Sequence, residues 1–174
     1  MSRRSPKSLK EQENSRLRLL LKCVPLHDIG KVVVPDEILL KPGKLTLEEF
    51  EIIKKHTTAG KDILASAEKK LGSNSFLSLA MEMAATHHER WDGKGYPYGL
   101  SGLQIPLPGR LMAIADVYDA IVSKRVYKSQ MTHKQTVKII LESRGTQFDP
   151  KLVDVFEQIQ DKFKEISVKQ IAIT

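Results

Sequence analysis

Apolar residues recur at intervals of three and four along most of this chain, which is the spacing of one face of an α-helix. In the first such segment, predicted to form a helix over about residues 11–26, the apolar positions are Leu17, Leu20, Leu21 and Val24. Comparable patterns predict further helices over about 47–65, 76–88, 110–123 and 133–144, and from 150 onwards. Residues 32–35 could form a short strand, but four residues decide little. The sequence therefore predicts an all-α domain of about six helices.

Capping residues mark where two of these helices begin. Thr46 and Glu49 have the spacing of a capping box, and so do Thr132 and Gln135. His133 follows the second of these caps and is predicted to face solvent. Residues 1–10 are basic and serine-rich, which predicts a disordered tail. We expect the domain to occupy residues 11–165 and a C-terminal tail to occupy residues 166–174.

The composition excludes several classes of protein. No segment approaches the roughly 18 consecutive apolar residues of a membrane helix, so no membrane association is expected. The single cysteine, Cys23, excludes an internal disulfide and fits a reducing cytoplasm, where we expect the protein. The net charge of +7 fits either plain solubility or an anionic ligand such as a phosphate. No motif indicates a nucleic-acid polymer as partner.

Four of the five histidines lie where they could bind a metal ion. His27 precedes Asp28, and together they offer imidazole nitrogen and carboxylate oxygen ligands. His87 and His88 end an apolar helical face together. His56 lies on the inward face of the predicted 47–65 helix, where a histidine is more often a hydrogen-bonded core residue than a ligand.

Two other features remain open at this point. Asp116 and Asp119 lie on the apolar 110–123 segment, and a buried carboxylate must be paired, hydrogen-bonded or metal-bound. Periodicity alone does not choose among these. Residues 89–109 are rich in glycine and proline, and a loop of about 20 residues without regular structure is usually functional or mobile.

Several separated motifs, in order, make the chain similar to HD-GYP domains, a subgroup of the HD phosphohydrolases. They are HDIGK at 27–31, KKHTTAG at 54–60, HHERWDGKGYPYGLSG at 87–102 and IPLPGRLMAIADVYDAIVSKRVYK at 105–128. The resemblance covers about residues 17–163. It implies an HD-domain helical bundle around two or three divalent metal ions, with Fe or Mn the usual metals and Zn an alternative. It further implies a cytoplasmic signalling phosphodiesterase that hydrolyses cyclic di-GMP to a linear dinucleotide or to GMP.

The resemblance also implies roles for individual residues. The metal ligands would be His27, Asp28, His56, His87, His88 and Asp116. Asp28 would bridge two metals, and Asp28 and Lys31 would be the catalytic residues. Lys31, Arg125 and Lys128 would bind substrate phosphate, and Asp119 would have a supporting role. The loop Gly95, Tyr96 and Pro97 would contact either the substrate or a partner such as a diguanylate cyclase domain.

The sequence departs from the family in one respect, because the family normally has a further histidine, in a His-x-x-Arg context, on a helix before the His-Asp motif. No histidine precedes His27. We therefore expect an N-terminally truncated domain with weakened activity, in which Leu17, Leu20 and Leu21 are exposed and favour self-association, for example as a homodimer. Two alternatives stay open: a non-catalytic module that binds a cyclic dinucleotide or a cyclase, and an HD phosphohydrolase acting on another nucleotide.

Overall fold

The computed structural model describes residues 9–123 and 131–171. In these two ranges the chain forms eight α-helices and no strand. The helices are α1 (Leu9–Cys23), α2 (Asp36–Leu39), α3 (Leu47–Lys54), α4 (His56–Leu71), α5 (Ser75–Thr86), α6 (Leu107–Val122), α7 (His133–Glu142) and α8 (Pro150–Ile171). The predicted all-α class is confirmed. The strand considered for residues 32–35 is wrong, because the chain forms a 3₁₀ turn over Ile29–Val33 there.

Both predicted capping boxes are present. The Glu49 amide donates to the Thr46 hydroxyl at 3.2 Å, and the Thr46 amide donates to the Glu49 carboxylate at 2.7 Å. Thr132 and Gln135 make the equivalent pair of bonds at the start of α7. The helix predicted over 47–65 is in fact two, because α3 ends at Lys54 and α4 begins at His56.

Two apolar clusters share helix α6. One lies between α1, α4, α5 and α6, where the completely buried Ala80 and Ala84 of α5 allow close helix packing. The other lies between α6, α7 and α8, around Ile140 and Phe156. Because α6 contributes to both clusters, its position in the bundle, and with it that of Asp116, is fixed from two sides.

Gly30 allows the 3₁₀ turn Ile29–Val33 to pack directly against the first turns of α4. A Cβ atom at Gly30 would lie 1.9 Å from the carbonyl oxygen of His56 and 2.4 Å from the amide nitrogen of Gly60. Because glycine has no side chain, Gly30 permits this close approach. The contact brings Asp28, two residues earlier, close to His56.

Some predictions from periodicity differ from the structure at the surface. Helix α8 extends from Pro150 to Ile171 and so includes residues assigned above to a C-terminal tail, whereas the domain boundary at residue 165 stays a prediction. His133 is not simply solvent-facing, because it is partly buried and its Nδ1 lies 2.8 Å from the Tyr118 hydroxyl. Leu17 and Leu21 are exposed as expected, whereas Leu20 packs partly against the first cluster.

None of the helices in the described ranges combines the length and the apolar character needed to cross a membrane.

Candidate metal centre

His27 and Asp28 lie between two 3₁₀ turns that follow α1. The first turn, Val24–Leu26, ends at His27, whose Nδ1–H donates to the carbonyl oxygen of Val24 at 2.7 Å. The second turn begins at Ile29 and is packed on α4 through Gly30. The backbone on both sides of the pair is therefore held in place, as a metal-binding motif requires.

Two more histidines use the same local hydrogen bond. The Nδ1–H of His56, at the start of α4, donates to Ile53 at 2.6 Å. The Nδ1–H of His87, just after α5, donates to Met83 at 3.1 Å and to Ala84 at 3.0 Å. Nδ1 carries a proton in each of these rings because only an N–H can donate to a carbonyl. In His56 and His87, whose pKa burial lowers, Nε2 then carries a lone pair, which is the arrangement common in metal-binding histidines.

These lone pairs converge on one carboxylate oxygen, Oδ1 of Asp28. It lies 3.4 Å from Nε2 of His56 and 3.7 Å from Nε2 of His87, and the two nitrogens are 3.4 Å apart. Oδ1 is buried and has no hydrogen-bond partner among the described residues. Three acceptors facing one another without a donor are unfavourable, and a cation between them would satisfy all three.

His88 completes a cluster of four side chains that could hold a metal ion. One ligand atom from each of Asp28, His56, His87 and His88 lies within 4.8 Å of the others. The His88 ring stacks on Tyr96, with ring centroids 4.9 Å apart and planes inclined by 29°. Nitrogen and carboxylate donors without thiolates fit Fe, Mn or Zn. The residues present therefore fit a divalent metal ion.

Burial keeps the inner imidazoles neutral. It lowers the pKa of His87 to about 4, and burial together with the neighbouring His87 lowers the pKa of His88 to about 2. Burial also lowers the pKa of His56. A neutral imidazole is the form that binds metal, so these rings do not need to lose a proton first.

The second oxygen of Asp28 faces the other side of the centre. It lies 3.2 Å from Nε2 of His27 and pairs with the Lys31 ammonium. Although burial opposes ionisation, the bonds from His27 and Lys31 outweigh it and hold the pKa of the Asp28 carboxyl well below its usual range. Asp116 lies beyond His27, with its Oδ1 at 3.9 Å from Nε2. His27, Asp28 and Asp116 thus form a second, more open group of donors beside the first.

The structure brings all six predicted metal ligands into this region, four in the tight cluster and two, His27 and Asp116, beside it. Lys31 contacts the Asp28 carboxylate, and its side chain is partly exposed. Asp119 is exposed and accepts a hydrogen bond from the Ser123 hydroxyl. The predicted phosphate-binding residues Arg125 and Lys128 lie outside the described ranges.

Sequence reasoning missed Glu89. This buried carboxylate accepts hydrogen bonds from the amides of Tyr98 at 2.7 Å and Leu100 at 3.0 Å. These hydrogen bonds hold the loop in the position in which Tyr96 stacks on His88. An acidic residue directly after two histidines was the available signal, but sequence does not show whether such a carboxylate faces a metal or a loop.

Two cavities flank the centre. The first has a volume of about 320 Å³ and is lined by both His87 and His88 and by Phe50, Lys54, Lys94 and Tyr96. The second has a volume of about 400 Å³ and is lined by His27 and Asp116 together with apolar residues of α6 and α8. The tight cluster and the more open donor group therefore each have a cavity beside them.

Comparison with known proteins identifies a family and several curated relatives. A family model described as HD domain matches residues 7–152. The chain is 54% identical over 151 residues to a cyclic di-GMP phosphodiesterase of Vibrio cholerae, covering 87% of this chain and 31% of that protein. It is 44% identical over 149 residues to a 3′3′-cGAMP-specific phosphodiesterase of the same organism, covering 86% of this chain and 28% of that protein. The chain thus spans about a third of the length of these curated relatives.

The fold is also similar to that of a solved structure. A cyclic GMP-AMP-specific phosphodiesterase from Vibrio cholerae matches with a TM-score of 0.54 at 20% identity, covering 87% of this chain and 40% of that chain. At this identity the match shows a shared fold and no more.

Proposed function

We propose that this chain, which belongs to the HD domain family, is the catalytic domain of a metal-dependent phosphodiesterase that hydrolyses cyclic di-GMP. The observation that carries the proposal is the convergence of His56 and His87 on the partnerless oxygen of Asp28. The 54% identity to a cyclic di-GMP phosphodiesterase supports the choice of substrate.

We assign metal binding to six residues, namely His27, Asp28, His56, His87, His88 and Asp116. Asp28 lies between the two groups of donors, with one oxygen near His56 and the other near His27. Its carboxylate could therefore bridge two ions. A bound divalent metal would lower the pKa of a coordinated water from about 15.7 towards 7 and so supply a nucleophile at neutral pH. We favour Fe or Mn and keep Zn as an alternative, with two or three ions in total.

Cationic and neutral donors around the centre would hold the substrate. Lys31 lies at the edge of the donor cluster with its side chain 40% exposed, so its ammonium can reach a phosphate oxygen while it remains near Asp28. Arg125 and Lys128 follow α6 in the sequence, and we assign them to phosphate as well. The Tyr96 hydroxyl stays protonated because burial and the nearby carboxylates of Asp116 and Asp28 raise its pKa, so it can donate a hydrogen bond to substrate.

Cyclic GMP-AMP is a second candidate substrate, supported by the 44% identity to a phosphodiesterase named for it. The two substrates differ in one base, whereas the donor cluster acts on the phosphodiester that both contain. The metal centre therefore accounts for the reaction, whereas the preference for one base over another would depend on the residues of the surrounding cavity. Cleavage at one phosphodiester would give a linear dinucleotide, and cleavage at both would give mononucleotides.

The proposal is tested by metal content and turnover in a pair of histidine variants. His56→Asn removes a donor from the tight cluster. His133→Asn makes the same change at the one histidine that belongs to neither group of donors. After anaerobic reconstitution with Fe or Mn, elemental analysis should find at least one metal equivalent in the parent protein and in His133→Asn, and less in His56→Asn. Chromatography of cyclic di-GMP reactions should show product only from the parent protein and His133→Asn.

Two results would contradict the proposal. A parent protein holding less than one equivalent of Fe, Mn and Zn combined would exclude the metal centre. A metal-loaded parent that binds cyclic di-GMP without converting it would support the non-catalytic binding module instead.

A further inference from the structure

We propose that the cavity bounded by Phe50, Lys54 and Tyr96 binds one nucleobase of the substrate, and that Lys54 makes this subsite select guanine. The inference rests on the proposed function, because it places a nucleotide at the donor cluster. It assigns a role to two residues of α3, Phe50 and Lys54, that are not among the candidate metal ligands.

The cavity has the right position and size for one nucleotide. His87 and His88 line it, so a base bound there leaves its phosphate next to the donor cluster. Its volume of about 320 Å³ is at the lower end of the roughly 300–1,000 Å³ of small-molecule sites. A cyclic dinucleotide would therefore place one half in the cavity and leave the other half outside.

Two aromatic rings form a wall of the cavity. Phe50 and Tyr96 meet edge to face, with centroids 6.0 Å apart and planes at 83°. Phe50 is 43% exposed, although it lies beside an otherwise buried centre. Stacking of a base on such rings contributes about 1–3 kcal/mol per base and tolerates any base, because every base has a π-face. The rings thus explain why a base would bind, but not which one.

Lys54 supplies the selectivity. Its ammonium lies 5.5 Å from the Phe50 ring centre and 5.7 Å from that of Tyr96, with the side chain only 25% exposed. It forms an ion pair with the Glu51 carboxylate at 2.5 Å, and an ammonium has three N–H donors, so donors remain for a ligand. Guanine presents two acceptors, O6 and N7, on one edge, where adenine presents an acceptor and an N6 donor. A lysine donor therefore favours guanine.

Two other charged groups of the cavity, Arg90 and Glu89, already have partners. The Arg90 guanidinium makes two bonds to the Asp92 carboxylate, at 3.1 and 2.9 Å. Glu89 uses its carboxylate on the amides of the loop. Lys94 is exposed at the edge of the cavity, where it can attract a nucleotide without reading its base. Among the charged groups of the cavity, Lys54 is therefore the one placed to read the base.

The test is equilibrium binding of GMP and AMP to the metal-loaded protein, measured by isothermal titration calorimetry. Neither probe contains a phosphodiester, so the measurement needs no turnover. The parent should bind GMP about tenfold more tightly than AMP, and Lys54→Met should weaken GMP binding by about tenfold while changing AMP by less than about twofold. Lys54→Arg should keep the preference, since arginine can also donate to O6 and N7.

Lys55→Met is the matched control, because it removes the same charge from the next residue, which is exposed and does not line the cavity. It should bind both nucleotides like the parent. Phe50→Ala should weaken GMP and AMP alike, by at least about fivefold.

The outcomes separate this inference from the proposed function. A parent that binds GMP and AMP equally, or binds neither, would overturn the guanine subsite even if it hydrolyses cyclic di-GMP. An equal loss for both nucleotides in Lys54→Met would show that Lys54 acts on phosphate and would also overturn it. Failure of hydrolysis with the GMP preference intact would overturn only the catalytic proposal.

Discussion

Gly30→Ala should displace the His-Asp motif from the other ligands. The new Cβ would lie 1.9 Å from the His56 carbonyl oxygen, whereas real Cβ contacts are not shorter than 3.0 Å, so the two backbones must separate by at least 1.1 Å. Metal ligands tolerate about 0.2 Å. We therefore expect metal affinity to fall by at least about tenfold, as it does when groups that support a ligand are changed. Overpacking should also cost about 1–3 kcal/mol, which corresponds to a Tm decrease of roughly 2–12 °C.

Gly60→Ala is the matched control, since it adds the same methyl group from the other side of the same contact. Its Cβ would meet its nearest neighbour, the Gly30 amide nitrogen, at 3.3 Å, which a small adjustment relieves. The gain of about 1 kcal/mol from replacing a helical glycine offsets that strain, so stability should stay within about 1 kcal/mol of the parent. Calorimetry in the presence of a chelator gives the Tm free of metal effects, and elemental analysis gives the metal content. If Gly30→Ala kept both values as well as Gly60→Ala does, the proposed coupling between this contact and the centre would be refuted.

Three further predictions concern the surroundings of the centre. Arg125→Ala and Lys128→Ala should each weaken cyclic di-GMP binding by about 1.5–3 kcal/mol in titration calorimetry, with metal content unchanged, because each loses a charged hydrogen bond to phosphate. Tyr96→Phe should keep the metal and slow turnover by about 2- to 10-fold, since it removes one hydroxyl donor and leaves the ring in place; unchanged turnover would exclude a role for the hydroxyl. Arg110→Met should lower the free energy of unfolding by about 3 kcal/mol, measured by denaturant titration, without changing the metal content. The Arg110 guanidinium lies 2.6 Å from the buried Asp149 carboxylate, and the substitution would leave that carboxylate without a cation.

The helices were predictable from the sequence because the residues that determine where they form are close together in the chain. Thr46 and Thr132 satisfy amides within their own first turns, so the starts of α3 and α7 depend on nearby residues alone. The break between α3 and α4 was not predictable from apolar spacing, because the periodic pattern continues through it. Lys55 donates to Ile52, three residues back, which is the tighter bond of a 3₁₀ turn.

The first cavity could not be predicted, because its residues become neighbours only in the folded chain. Lys54 and Phe50 come from α3, His88 from the end of α5 and Tyr96 from the loop that follows. The position of Tyr96 depends on Glu89, which accepts hydrogen bonds from the amides of Tyr98 and Leu100, nine and eleven residues later in the chain. Neither a periodic pattern nor a short motif contains that information. The expected homodimer and cyclase partner stay predictions.

One kind of local hydrogen bond orients three of the candidate ligands, and it explains why these ligands occur where helices end. His27 follows a 3₁₀ turn, His87 follows α5, and His56 comes just after the end of α3. In each case the imidazole Nδ1–H donates to a carbonyl three or four residues earlier, in the final turn that precedes it. Carbonyls in a last helical turn have acceptor capacity to spare, so the bond costs the helix nothing. It fixes the tautomer and directs Nε2 away from the helix end. Three helical ends that meet near Asp28 therefore orient three of the six candidate donors.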